Sequence, residues 1–306
     1  DKQHRIYEEK AVAKNLTYDS WIREKEREIA NAHAITLKNK KSLTNDLKME
    51  GNDRGISEDE GKNARGISDC RIVQVIDKNS QNQGKMKFLI TGINLFCNNI
   101  DALLNKYDSD IVLILQYEGE INEIAYPLLY ERFSKNDKNL LIYGDEDTRR
   151  EVERENPWFK PDWSPDRFMS CFYFGALVAV RRSALREAYV SGMKDNRIVP
   201  YQPEKEAHNA LRWLYRLLFE MLLRKGGFAK GHEAAQNPVF HVRQVLYHNR
   251  SDGYEQIKDC HLPKEAKQEL LCRMGTLNPK AAKESAPLLS IIIPSKDNPG
   301  ALFCCL

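Results

Sequence analysis

A four-residue apolar run, Leu140-Leu141-Ile142-Tyr143, gives way after Gly144 to three consecutive carboxylates, Asp145, Glu146 and Asp147. The run has the length of a buried strand. Acids at the C-terminal mouth of such a strand stand where open α/β sheets bind ligands. A dense segment follows, Pro157-Trp158-Phe159-Lys160-Pro161-Asp162-Trp163-Ser164-Pro165-Asp166. Its three prolines stiffen the backbone, its two tryptophans and Phe159 offer flat apolar surface, and Lys160, Asp162 and Asp166 supply charge. This composition describes a built loop.

The flanking pattern is α/β. Cys70 to Ile76 alternates as a strand, and Gly92 to Tyr107 carries a helical face of Ile93, Leu95, Phe96, Ile100, Leu103 and Leu104. Asp110 to Leu115 reads as a second buried strand, and Tyr126 to Phe133 begins another helix. Beyond the central stretch, Phe172 to Val180 reads as a strand, and Ser183 caps a short helix from Ala184 to Val190. Ala207, Leu211, Leu214, Leu218, Met221 and Leu222 recur at helical spacing and stop at Gly226-Gly227. Phe240 to Tyr247 is a strand with a basic end, His248-Asn249-Arg250. Strands are therefore expected near 72–76, 110–115, 140–143, 172–180 and 240–247.

Composition narrows the classes. A chain of 306 residues buries a sizeable core, and a net charge of +3 is too balanced to point to nucleic acid. Seven cysteines, odd in number and without a CxxC pair, read as reduced thiols of a cytosolic chain. No apolar run reaches membrane-spanning length, and the opening DKQHRIYEEK is no signal peptide.

The central residues resemble the family 2 glycosyltransferases of bacterial surface-polysaccharide clusters. Those enzymes carry a strand ending in Ser-Asp-Glu-Asp-Lys followed by Phe-Lys-Pro-Asp-Trp-Ser-Pro-Asp. Here the first reads Gly144-Asp145-Glu146-Asp147-Thr148, and the second matches without a gap from Phe159 to Asp166. The resemblance runs from about Arg71 to Arg250 and resumes at the C-terminus. It implies an α/β fold of glycosyltransferase A type, a mixed nucleotide-sugar-binding sheet flanked by helices, here incomplete because no opening strand precedes it. The segments expected are a helical lead-in at 1–50, a linker at 51–69 and the glycosyltransferase-like domain at 70–250. A helical connector at 251–286 and the truncated start of a second glycosyltransferase domain at 287–306 complete the chain. The lead-in, with Trp21 and Ile22 docked on the domain, reads as carrying no chemistry.

The resemblance also assigns residues. In relatives the second buried strand ends in a Leu-Asp-His-Asp-Asp-type motif that holds a divalent metal; here the same place reads Leu115-Gln116-Tyr117-Glu118-Gly119. Glu118, Asp145 and Asp147 are thereby the candidate ligands of Mn²⁺ or Mg²⁺, which takes one or two carboxylates plus phosphate and water. Lys160, Asp162, Trp163, Asp166, His248 and Arg250 are candidates for substrate binding, with Arg matched to phosphate oxygens. His248 is equally a structural histidine near a strand end. The acidic segment that supplies a general base in relatives is replaced by Pro203-Glu204-Lys205-Glu206-Ala207-His208, so Glu206 or His208 is a substitute base or merely part of a core helix.

Two functions follow from this reading. One is transfer of a sugar from a nucleotide-diphosphate sugar to a growing surface glycan, in the cytoplasm or at the inner face of the membrane, beside a second glycosyltransferase domain of the full-length chain. The other is a non-catalytic module that binds a glycan or scaffolds that second domain. Fold-level kinship does not choose between them.

Overall fold

The computed structural model describes residues 17–32, 35–39, 70–77, 85–150, 153–203, 210–228, 237–250 and 271–272. The chain divides into two compact units, Asp1–Leu262 and Pro263–Leu306. In the second, only 271–272 are described, and they are helical. The segments 51–69, 251–270 and 287–306, with Glu206 and His208, lie outside the described residues.

The first unit is an α/β structure built on one mixed sheet. Its strands are β1 (Ile35–Asn39), β2 (Cys70–Asp77), β3 (Lys85–Gly92), β4 (Ile111–Leu115), β5 (Gly119–Ile121), β6 (Leu141–Arg150), β7 (Glu153–Trp158), β8 (Leu177–Arg181) and β9 (Val239–Asn249). The order across the sheet is β1-β2-β3-β4-β8-β6-β9-β5, with β7 pairing a further stretch of β6. The β3–β4 and β6–β9 pairs are parallel and the others antiparallel. Consequently β3, β4, β6 and β9 run the same way, and their carboxyl ends share one edge. That edge is where open α/β sheets receive ligands.

Helices cover the sheet. They are α1 (Tyr18–Ala32), α2 (Ile93–Asn98), α3 (Ile100–Lys106), α4 (Ala125–Lys135), α5 (Pro165–Ser170), α6 (Arg182–Lys194) and α7 (Ala210–Arg224). Side chains alternate across a strand, so Phe88, Ile90, Ile111 and Leu113 meet Leu129 and Phe133 of α4 in one core cluster. Their neighbours Leu89, Val112 and Ile114 are equally buried and point the other way. The long apolar helix α7 packs against α6 and α2. It stops in a Schellman motif, because Gly226 adopts φ +74° and Gly227 N–H reaches Leu222 O at 2.7 Å. No described helix is long and apolar enough to cross a membrane.

The structure departs from the sequence reading at several points. The central strand does not end at Tyr143: β6 continues through the acids to Arg150, because β9 pairs it on one side and β7 on the other. Asp145, Glu146 and Asp147 are therefore inside a strand rather than at its mouth. The strand expected over 172–180 is confined to Leu177–Arg181, since Gly175 turns the chain at φ +83°. The helix expected from Gly92 divides into α2 and α3 at Asn99, whose φ and ψ of −129° and 25° leave the helical region.

Candidate functional site

Alternation along β6 puts Asp145 and Asp147 on one face and Glu146 on the other. Each is about 1% exposed, so each carboxyl group has left water and needs hydrogen-bond partners. Asp145 accepts the Lys160 backbone N–H at 2.8 Å and lies 2.9 Å from His241 Nε2. Glu146 accepts the Ala176 N–H at 2.7 Å and pairs with Lys160 Nζ at 3.1 Å. Asp147 receives three side chains: Tyr18 Oη at 2.8 Å, Arg154 Nε at 2.8 Å and His248 Nδ1 at 2.6 Å. Burial, reinforced by the Asp147 charge, holds the Tyr18 hydroxyl well above its ordinary pKa. Burial pulls the Arg154 guanidinium down, but Asp147, Glu26 and Tyr18 outweigh it and leave its pKa raised.

The proline-tryptophan segment is tied to this strand. Lys160 is buried; its Nζ donates to Gly144 O at 2.6 Å and lies 4.9 Å from the centre of the Trp158 ring. Asp162 takes both Arg243 and the Nδ1 side of His241, and the Arg243 guanidinium is the main cause of its lowered pKa. His241 thus bridges Asp145 to Asp162 while its ring stacks on Tyr143 at 4.8 Å. Trp163 donates its indole N–H to Gly227 O at 3.3 Å and packs among Phe168, Phe174 and Phe228. Ser164 caps α5 and Pro165 occupies its first turn. Asp166 is exposed in that turn, its carbonyl accepting Ser170 Oγ at 3.1 Å.

At the carboxyl edge of the sheet lies a cavity of about 850 Å³, within the range of small-molecule sites. Its walls come from α1, β2, β4, β5, the start of α4, β6, β7 and β9. Arg23, Arg27, Arg71, Arg149, Arg154 and His248 face Glu26, Glu120 and Glu123 across it. A smaller cavity of about 410 Å³ shares Glu120, Arg149 and His248 and adds Arg150 and Arg250. Glu26 is held by Arg154 at 2.7 Å and by Asn122 at 2.6 Å, and Glu120 by Arg149 at 2.9 Å and Arg250 at 2.7 Å. Arg250 is the principal cause of the lowered Glu120 pKa.

The candidate residues therefore fall into two places. His248 and Arg250 line the cavities, with Glu118 close by at 3.6 Å from Arg250. Lys160, Asp162 and Trp163 fasten the stiff loop to the sheet, and Asp145 lies with them behind His241. The set implied for a divalent cation does not converge as the chain is folded. Asp145 and Asp147 are engaged by internal hydrogen-bond partners, Glu118 is exposed beside Arg250, and Gln116 gives its amide to Gly175 O at 2.6 Å. Among the described residues no group of three or more histidine, cysteine, aspartate or glutamate side chains is arranged to hold a metal ion.

Arg154, His241 and the arginines of α1 were not singled out from the sequence. Arg154 and His241 were signalled indirectly, since three adjacent acids need basic or hydrogen-bonding partners. The α1 arginines carried no such signal, because exposed helical arginines ordinarily mark a solvated face.

No family model matches the chain. Over 205 residues it is 26% identical to the O-antigen biosynthesis protein RfbC of Myxococcus xanthus. The match takes in 63% of this chain and 15% of that protein, so the chain spans a small part of the relative's length.

Proposed function

We propose that the chain is a glycosyltransferase-A-type module of surface-polysaccharide biosynthesis that takes a nucleotide-diphosphate sugar at the carboxyl edge of its sheet. The observation that carries this reading is the cavity of about 850 Å³ at that edge, where arginines and His248 converge. Arginine pairs bidentately with phosphate oxygens, and the edge is the usual ligand site of an open α/β sheet. The partial likeness to an O-antigen biosynthesis protein supports the polysaccharide setting. In this reading the acceptor is a growing glycan, and a second glycosyltransferase domain belongs to the same full-length chain.

Chemically, the acceptor hydroxyl would pass its proton to a general base, for which Glu206 or His208 is the sequence candidate, as its oxygen bonds to the anomeric carbon and the bond from that carbon to the diphosphate breaks. The arginines would take up the negative charge of the departing diphosphate. The test is incubation of the chain with UDP-, GDP- and dTDP-sugars and a bacterial glycan acceptor, following acceptor-dependent release of nucleoside diphosphate. Release with one donor supports the reading; no release with any donor overturns it.

A second reading, a non-catalytic module that binds or scaffolds, is favoured by one observation. The acids expected to serve chemistry are spent on internal bonds. Under that reading the protein binds a nucleotide sugar or glycan without turning it over.

A further inference from the structure

Among the described residues, seven arginines and three glutamates line the two cavities at the sheet edge. Within the larger one, three guanidinium groups stand out. Arg154 has a side chain only 4% exposed, and its Nη2 is buried without a hydrogen-bond partner. An orphaned charged donor of this kind is costly unless a ligand or water meets it. Arg27 and Arg71 are exposed at the same cavity; neither has a carboxylate partner among the described residues, and Arg71 hydrogen-bonds the Tyr126 hydroxyl. Behind them His248 is 7% exposed; Asp147 takes its Nδ1 at 2.6 Å, leaving Nε2 with no partner among the described residues. The carboxylates expected to hold a bridging divalent ion already have partners: Asp145 bonds the Lys160 N–H and His241, Asp147 bonds Tyr18, Arg154 and His248, and Glu118 lies 3.6 Å from Arg250.

We propose that this cavity binds a diphosphate anion directly, through the guanidinium groups of Arg154, Arg27 and Arg71, without a bridging divalent cation. The site rests on the reading of the cavity as the nucleotide-sugar pocket only for its class of ligand; its mode of binding is separate. Arg27 and Arg71 supply the positive charge in place of the cation, while Arg154, already paired with Asp147 and Glu26, offers its remaining donor Nη2. The helix α1, which brings Arg27, is then a wall of the site.

Calorimetry of the 306-residue chain with inorganic pyrophosphate and with UDP, each in EDTA and in Mn²⁺, tests the proposal. Binding is expected in EDTA, weaker at high sodium chloride because contacts of this kind are screened. An Arg27→Ala, Arg71→Ala double variant changes only exposed side chains, and it should weaken pyrophosphate binding at least tenfold. Arg212→Ala, an exposed arginine away from the cavity, should leave it within twofold. Binding that appears only with Mn²⁺, no binding of either probe, or equal weakening by Arg212→Ala would overturn the proposal. Binding in EDTA with no turnover of any nucleotide sugar would leave this inference standing and remove the transferase reading. Turnover that needs Mn²⁺ would do the reverse.

Discussion

At the residue scale the decisive group is Asp147, whose carboxylate gathers Tyr18, Arg154 and His248 from three different elements. Breaking a buried ion pair from one side leaves the other charge uncompensated, which typically costs about 3–5 kcal/mol. Arg154→Ala takes the arginine partner from both Asp147 and Glu26, so it should lower unfolding free energy by up to about that amount in urea titration. Tyr18→Phe removes a single neutral donor from an acceptor that keeps two others, and should cost only about 1–2 kcal/mol. Tyr18 also sets an alkaline limit. Its folded pKa is raised above 10.0, so its stabilisation is complete below that value and is lost as pH rises beyond it. The wild type should therefore lose stability above about pH 10 more steeply than Tyr18→Phe, as read by thermal melts across pH 8 to 11. The Asp162–Arg243 pair works in the opposite sense. Asp162 has a lowered pKa, so its contribution is present above the ordinary carboxylate range and disappears only in acid.

At the scale of elements, the turn before β8 depends on Gly175. It adopts φ +83°, and a Cβ there would overlap Lys160 Nζ and Glu146 Oε2, both members of a buried pair. Gly175→Ala should cost at least about 1–3 kcal/mol from backbone strain alone, seen as a lowered melting midpoint. The same turn shows why the sequence was legible in part. The apolar runs at Ile111–Leu115 and Leu177–Arg181 are strands because continuous burial leaves little else for them to be. The continuation of β6 through Asp145–Asp147 was not legible, because an acid triplet reads as a loop until its cations are known. Partners of that triplet lie up to 129 residues away along the chain, at Tyr18, and only the fold brings them together. Strand β3 went unread for a different reason: Lys85 and Lys87 at its start look like surface, although Met86, Phe88 and Ile90 between and after them are core. For the site, His248 and Arg250 were visible as the basic end of a strand. The arginines of α1 were not, because their role depends on where the helix docks.

At the scale of the whole first unit, that docking joins stability to binding. Helix α1 is anchored by Tyr18, Trp21 and Ile22 against Val245, with Phe159 of the stiff loop at its edge. The Trp21 and Phe159 rings meet edge to face at 6.5 Å. Polar contacts on the same helix, Glu26 to Arg154 and to Asn122, turn its inner face toward the cavity. One apolar anchor thus holds the wall that presents Arg23 and Arg27. Trp21→Ala removes the largest ring of that anchor, a truncation that costs about 3–5 kcal/mol in a closed core. At this docked helix the loss should fall chiefly on the attachment of α1, since the main cluster beneath the sheet is built from other side chains. The expected outcome is a pair of readings on one variant. Circular dichroism should keep the strand signal of the wild type, while pyrophosphate binding in EDTA weakens at least as much as it does in Arg27→Ala. Unchanged binding in a folded Trp21→Ala variant would mean that α1 stands beside the cavity without forming it.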